Sequence, residues 1–462
     1  MRYISTRGAS PPQSFEAILL SGLAPDGGLY VPDVWPHFSQ ERIRDFESSR
    51  YADVAFSILS EFVDDSDAVG ALRTDVEAAY ATFDVPEVAP LVPLFGNIYI
   101  LELFHGPTLA FKDIAMQLLG RLLSRTLARK KTYVSVVVAT SGDTGSAAIA
   151  ALGGLPGIEL FVLHPKGRVS EVQRRQMTTT RHGNVHNIAL EGSFDDAQSI
   201  VKALFADPQF SSDMQLSAVN SINFARIAAQ CVYYFTAAAK FDSPPVFVVP
   251  TGNFGDAFAG EAAMRMGLGI DRLVIATNAN DILWRALNEG VYAAAAARQT
   301  LSPSMDIQVA SNFERALYEA SGRDVEWLNT AMADFARSRE LRIPPHVLGA
   351  LRTRYSASRC DDSQTLETMA RIHRETGRLI DPHTAVAVSA ALAVPRAADR
   401  PTIVFSTAHP AKFPDAVCKA TSIVPPLPQR LADLYEGEER VTCLPAELAQ
   451  VRAFIEQRLA HT

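Results

Sequence analysis

From Asn97 onward the chain repeats one unit: a short run of apolar and β-branched residues, a turn, then an amphipathic helix. The runs are "NIYILELF", "YVSVVVAT", "IELFVLHP", "VHNIALEG", "PVFVVPTG", "RLVIATNAND" and "PTIVFSTAHP". Near-continuous apolar runs of this length read as strands covered on both faces. Helices between them supply the long connections that parallel neighbours need. The pattern therefore predicts an α/β fold built on a mainly parallel, doubly wound sheet.

Two parts of the chain depart from this pattern. Residues 1–95 read as a mostly helical amino-terminal domain after the turn "LAPDGGLYVP", through "EAILLSGL", "RYADVAFSILSEFV" and "VEAAYATF". The proline-rich "VPEVAPLVPLFG" reads as the linker that closes it. Residues 96–462 form the α/β body, with a smaller subdomain at about 120–240. Within that body, about 281–377 reads as a helical insertion, carried by "DVEWLNTAMADFARSREL" and "SQTLETMARIHRETG". A length of 462 residues agrees with two or three domains.

Charge and composition exclude several roles. A net charge of −8 without a dense basic run argues against a nucleic-acid partner. No stretch is long and apolar enough to span a bilayer, and "MRYISTRGASPPQSF" lacks a signal peptide's apolar core, so no membrane partner is expected. Cys231, Cys360, Cys418 and Cys443 lie far apart without CxxC spacing. They imply no metal site and no disulfide framework, and read as buried or incidental thiols in a reducing cytoplasm.

Two segments share a strand–glycine loop–helix layout. In "VSVVVATSGDTGSAAIAAL" the strand ends near Ala139 and the helix begins near Ser146. In "VFVVPTGNFGDAFAGEAAM" the turn runs from Thr251 to Asp256. Such loops aim backbone N–H groups at one point, and the helix's positive end favours an anion there. Gly142, Gly145, Gly252 and Gly255 let the backbone approach it closely. Neither loop is a Walker A or GxGxxG fingerprint, and one such loop alone is as well explained by a plain turn. Two in one chain, bearing Thr140, Ser141, Thr144, Thr251 and Asn253, favour binding. Asp143 and Asp256 are awkward neighbours for an anion; helix capping is the alternative for both.

The segment "FHGPTLAFKD" places Lys112 at a helix start, with Asp113 as an expected cap. The helix's positive end and apolar neighbours both disfavour an ammonium ion. A lysine there is suited to act as a neutral amine. An amine that forms a Schiff base, together with an anion cradle, matches the aldehyde and phosphate of pyridoxal 5′-phosphate.

With these residues in view, the chain resembles the shorter, bacterial and fungal threonine synthases, nearly end to end. The resemblance rests on "STRG", "DGGLYVP", "FHGPTLAFKD", "TSGDTGSAA", "NSINFARI", "PTGNFGD", "ATNANDIL", "DPHTAVA" and "STAHPAKF", in that order. It implies the fold of the tryptophan synthase β group, two subdomains with the cofactor between them, and an added amino-terminal domain. It also implies conversion of O-phospho-L-homoserine and water to L-threonine and phosphate, by a monomer or small homo-oligomer.

Carried over residue by residue, Lys112 would hold the cofactor as a Schiff base and act as general base at the α-carbon. Gly252, Asn253, Phe254, Gly255 and Asp256 would receive the cofactor phosphate. Thr407 would sit by the pyridine nitrogen, and Asp143 would lie near the cofactor. Ser141, Gly142 and Thr144 would face the substrate carboxylate. Asn220, Ser221 and Arg226, with Asn253, would bind the substrate phosphate; without the resemblance, Arg226 reads as a surface cation. His105, His383, His409 and Lys412 lie in family motifs without an assigned step, the histidines reading as hydrogen-bonded neighbours of the site. Related dehydratases and cysteine synthases generally carry asparagine at Asp143's position, which leaves open what holds the cofactor's phenolic oxygen. A phospholyase or threonine dehydratase of the same fold group is the nearest alternative, and a non-catalytic sensor the alternative from another class.

Overall fold

The computed structural model describes residues 1–63, 66–217, 219–393 and 400–460. Two sheets dominate it, and the seven predicted runs supply the strands that carry both. The larger sheet has six strands in the order Tyr355–Arg359, Arg272–Thr277, Val246–Pro250, Thr402–Ser406, Ile98–Glu102 and Leu91–Phe95. All neighbours are parallel except the last pair. The smaller sheet has five parallel strands in the order Thr442–Pro445, Val185–Glu191, Ile158–Pro165, Val134–Ala139 and Leu216–Ser217.

The central strand Val246–Pro250 is buried at every residue, which explains its unbroken apolar run. Against the larger sheet lies the helix Pro382–Ala393, rich in alanine and valine and mostly buried. The helix Phe224–Ala238 is buried nearly end to end, and its Tyr233 and Tyr234 rings meet Phe405 of the sheet. It also packs on the amino-terminal helix Tyr51–Leu59 and on the helix Lys112–Lys130.

The structure differs from the sequence reading at the sheet edges. "LVPLF", read as linker, is the antiparallel edge strand Leu91–Phe95, with a register shift beside its exposed Pro93. An edge strand tolerates a proline because one side of its ladder is unpaired. The stretch read as a helical insertion holds three strands, Val291–Ala293, Glu340–Arg342 and Tyr355–Arg359. The first two pair only with each other, whereas the third closes the larger sheet. Thr442–Pro445 and the helix Leu448–Leu459 return the end of the chain to the smaller sheet, far beyond residue 240. In the amino-terminal part, Tyr3–Ser5 pairs with Tyr30–Pro32 beside the predicted helices.

Candidate active site

Lys112 is the first residue of the helix Lys112–Lys130, as its sequence context predicts. Its Nζ lies 3.3 Å from Asp143 Oδ2 and 4.8 Å from the centroid of the Phe111 ring. Burial pushes the Lys112 amine below the ordinary lysine range, and the cations Lys412 and Arg226 add to that; Asp143 opposes it.

Asp113 does not cap this helix: the residue before the helix is Phe111, and no side chain caps its start. Asp113 is fully buried and accepts hydrogen bonds from the Thr108 N–H and hydroxyl, both at 2.7 Å. It latches the loop in front of the lysine instead. Gly106 makes room for the latch, since a Cβ there would stand 2.5 Å from Asp113 Cβ.

The first glycine loop follows the strand Val134–Ala139, and its helix begins at Asp143, three residues earlier than expected. Thr140 Oγ1 accepts from the N–H groups of Gly142 and Gly145, each at 2.9 Å. Gly142 has φ +136°, and a Cβ there would meet the Gln173 amide at 2.5 Å. Ser141 and Thr144 flank the loop half-buried. Asp143 is not a cap either, because its carboxylate turns to the two lysines. Oδ1 meets Lys412 Nζ at 3.0 Å and accepts from Gln173 Nε2 at 2.8 Å; Oδ2 meets Lys112 and accepts from Ser304 Oγ at 2.9 Å. Burial alone would push this carboxyl up, but Lys412 and then Lys112 hold it well below the usual range.

The second loop joins Val246–Pro250 to the helix Gly255–Arg265. The helix opens directly on the loop, so its first N–H groups have no intrahelical acceptor. Phe254 holds a left-handed φ of +63°, fixed by its buried ring between Phe313 and Tyr355 and by an N–H bond to Thr251 Oγ1. A Cβ on Gly252 would stand 2.9 Å from Ile307. Asp256 does not cap: its Oδ1 accepts from the Tyr233 hydroxyl, and its Oδ2 is buried without a partner among the described residues. Burial pushes its carboxyl up to about 7, against the Tyr233 and Tyr234 hydroxyls.

Arg226 lies in the first turn of the helix Phe224–Ala238, capped by Asn223, and is 3% exposed. It is not a surface cation. Its NH1 donates to the Val219 carbonyl at 3.2 Å, and among the described residues its buried Nε has no partner. Burial pushes the guanidinium down to about 10, which leaves it charged at neutral pH. An unpaired buried cation is an anion site in waiting, because its desolvation is uncompensated until an anion arrives. Asn220 Oδ1 accepts from the Ile222 N–H at 3.3 Å. Thr407 follows the strand Thr402–Ser406, and its carbonyl accepts from the Phe111 N–H at 2.9 Å, beside Lys112.

The structure also places residues that sequence reasoning missed. Asn312 Nδ2 donates to both the Ser221 and Asn253 carbonyls at 3.1 Å, joining the arginine segment to the second glycine loop. Arg315, fully buried, donates to the Tyr30 carbonyl at 3.0 Å, to the Ile222 carbonyl at 2.6 Å and to Asn312 Oδ1. Ser304 ties Asp143 to His383, whose Nε2 accepts from the Ser304 N–H at 3.2 Å while Nδ1 faces Asp381 at 2.7 Å. His105 bonds Glu102, and His409 Nδ1 accepts from the Ala411 N–H. Ser304, Asn312 and Arg315 stand in no motif with local chemistry, and Gln173 reads locally as the partner of Ser170 in a helix capping box. Among the described residues no group of His, Cys, Asp and Glu is arranged to hold a metal ion.

A largely buried lysine with a lowered proton affinity, two helix-opening glycine loops and a buried arginine without an ion-pair partner among the described residues fit a phosphate-bearing aldehyde cofactor and an anionic substrate. Residues 85–338 match the family described as pyridoxal-phosphate dependent enzyme, and this is the class that fold and site define. Residues 2–80 match the threonine synthase N terminus, and residues 384–455 the threonine synthase C-terminal family. The chain is 50% identical to a threonine synthase of Pseudomonas aeruginosa over 461 residues, covering 99% of this chain and 98% of that one. Its fold matches the crystal structure of pyridoxal-phosphate-bound threonine synthase from Brucella melitensis with a TM-score of 0.96 at 47% identity, covering 99% of each. The yeast threonine synthase structure matches at 0.94 and 38%, covering 100% of this chain and 99% of that one. The chain belongs to the threonine synthase family.

Proposed function

We infer that this chain converts O-phospho-L-homoserine and water to L-threonine and phosphate, with pyridoxal 5′-phosphate carried on Lys112. When bound, the cofactor supplies the electron sink that makes the substrate's carbon-bound protons acidic. The Gly252–Asp256 loop takes the cofactor phosphate on backbone N–H groups. Thr407 presents a neutral hydroxyl to the pyridine nitrogen, and Asp143 holds its charge beside the lysine. Ser141, Gly142 and Thr144 orient the substrate carboxylate. Arg226 binds the substrate phosphate through a planar fork suited to two oxygens, with Asn220, Ser221 and Asn253 around it. Lys112 Nζ, its proton affinity lowered by burial, accepts the α-proton and returns it at the end of turnover.

The observation that carries this reading is Arg226, a buried cation without a carboxylate, close enough to Lys112 to lower its proton affinity. A hydroxy-amino-acid dehydratase has no second anion to place there. A phospholyase remains the second reading, because it too would use Arg226. The deciding experiment measures phosphate release from O-phospho-L-homoserine and identifies the organic product, for the wild type and Lys112→Ala. Threonine from the wild type and none from the variant is expected; a keto acid, or turnover kept by the variant, overturns the reading.

The cytoplasm is the compartment we infer, supported by Cys231, Cys360, Cys418 and Cys443 all being free thiols. No helix among the described residues is long and apolar enough to cross a membrane. The net charge of −8 supports the absence of a nucleic-acid partner. The working unit is a monomer or small homo-oligomer.

A further inference from the structure

The two lysines that share Asp143 are not equivalent. Lys412 is 0% exposed, in the short turn Pro410–Lys412, and its ammonium has three acceptors. They are the Thr108 carbonyl at 2.7 Å, Gln176 Oε1 at 3.2 Å and Asp143 Oδ1 at 3.0 Å. The first two are hydrogen bonds and the third is an ion pair. Lys112 has Asp143 Oδ2 as its hydrogen-bond acceptor at 3.3 Å, and otherwise faces the Phe111 ring.

We propose that Lys412 is a positioning residue for Lys112: its ammonium is the resident counter-ion of Asp143, so the Lys112 amine sheds its proton without leaving that carboxylate unpaired. The inference rests on the reading of Lys112 as the cofactor-bearing amine. Its warrant is a charge count over Lys112, Lys412 and Asp143, which are largely buried. With both lysines protonated, the cluster has one more positive charge than negative; losing the Lys112 proton makes it neutral. Without Lys412, the same proton loss would leave a buried anion with no ion-pair partner, which is costly. Asp143 also keeps the Gln173 and Ser304 donors at 2.8 and 2.9 Å when Lys112 turns away.

The other charged groups act on these three residues in both directions. Arg226 adds a like charge toward Lys112, and Asp256 interacts with it from the second loop. Asp113 interacts with Lys412, and His383 with Asp143. Lys412 thus ties the first glycine loop to the Thr108 carbonyl, and Thr108 is the residue that Asp113 latches.

The test titrates Lys112 itself. Apoprotein is incubated with pyridoxal 5′-phosphate across a pH series, trapped with borohydride, and the labelled Lys112 peptide is quantified by mass spectrometry. The titrations of the probe are common to every variant, so differences in midpoint report Lys112. Lys412→Met should raise the midpoint by about one unit or more, a roughly tenfold loss of neutral amine at fixed pH. Asp143→Asn should lower it, and the double variant Asp143→Asn/Lys412→Met should return it close to wild type. A merely structural lysine would reduce the extent of labelling at an unchanged midpoint, and that result, or a double variant that stays raised, overturns the proposal. If Lys412→Met does not fold, the comparison of Asp143→Asn with the double variant decides, because loss of Lys412 must raise the midpoint there too. Absence of Lys112 labelling in the wild type at every pH would instead sink the assignment of the cofactor lysine.

Discussion

Burial perturbs both Arg226 and Asp256, and each therefore has a measurable signature. Arg226 has one backbone acceptor and an orphaned Nε. Replacing it with methionine removes an uncompensated charge at similar length, so the apoprotein should gain about 1 kcal/mol or more in urea unfolding. The same variant should raise the KM for O-phospho-L-homoserine by roughly 100-fold, since charge-assisted hydrogen bonds are worth about 1.5–3 kcal/mol each. A variant that is clearly less stable would mean that the guanidinium is a structural element. For Asp256 the sign follows from its carboxyl, pushed up to about 7 by burial. Between the unfolded value near 4 and about 7, the folded protein holds the extra proton, so stability falls as pH rises through that window. The isosteric neutral Asp256→Asn should abolish that part of the slope, on the order of 4 kcal/mol across the window at 1.36 kcal/mol per unit. Unfolding curves of wild type and variant at several pH values test it; parallel pH profiles would refute it.

At the scale of elements, the lysine's position depends on the loop before it more than on its own helix. Asp113 fixes Thr108 through two hydrogen bonds, and the Thr108 carbonyl in turn holds Lys412 and Gln176. Asp113→Ala should therefore cost about 1–3 kcal/mol for the donors left unsatisfied, and it should also weaken pyridoxal phosphate binding. Fluorescence titration of apoprotein with the cofactor, beside a thermal melt, separates this from a plain stability loss. An affinity equal to wild type would show that the latch does not position the lysine. Sequence legibility divides along the same line. The seven interior strands announce themselves as apolar runs, because a strand covered on both faces has no polar side to interrupt it. The edge strands "YSASR", "LS" and "TCLP" lack that constraint and carry no such signal. Capping is a local rule that reads Asp113, Asp143 and Asp256 alike, whereas Asp113 turns back to Thr108 and the other two bond groups from other segments. Gln173, Ser304, Asn312 and Arg315 act across separations of 30 to 285 residues, at which no local pattern survives.

Over the whole molecule, the amino-terminal segment is built into the site's support. Asn223, the cap of the arginine-bearing helix, donates to the Leu19 carbonyl at 2.9 Å, and the Tyr3 ring packs on Phe224 at 5.3 Å. Thr6 and Arg7 bond Glu314, next to Arg315. Arg315 gathers three parts at once: Tyr30 of the amino-terminal segment, Ile222 of the arginine segment, and Asn312, which carries the second glycine loop. It differs from Arg226 in having its donors used by protein acceptors. The two buried arginines should then respond oppositely to the same substitution. Arg315→Met leaves buried carbonyls at Tyr30 and Ile222 unpaired and should destabilise the protein by about 3 kcal/mol or more. It should also raise the KM for O-phospho-L-homoserine and the dissociation constant of the cofactor together, because Asn312 links both loops. Arg315→Lys keeps the charge without the fork, so it should fall between wild type and the methionine variant. Urea unfolding paired with steady-state kinetics gives both readouts. If Arg315→Met lost stability while both binding constants stayed at wild-type values, the arginine would hold the amino-terminal segment without positioning the site.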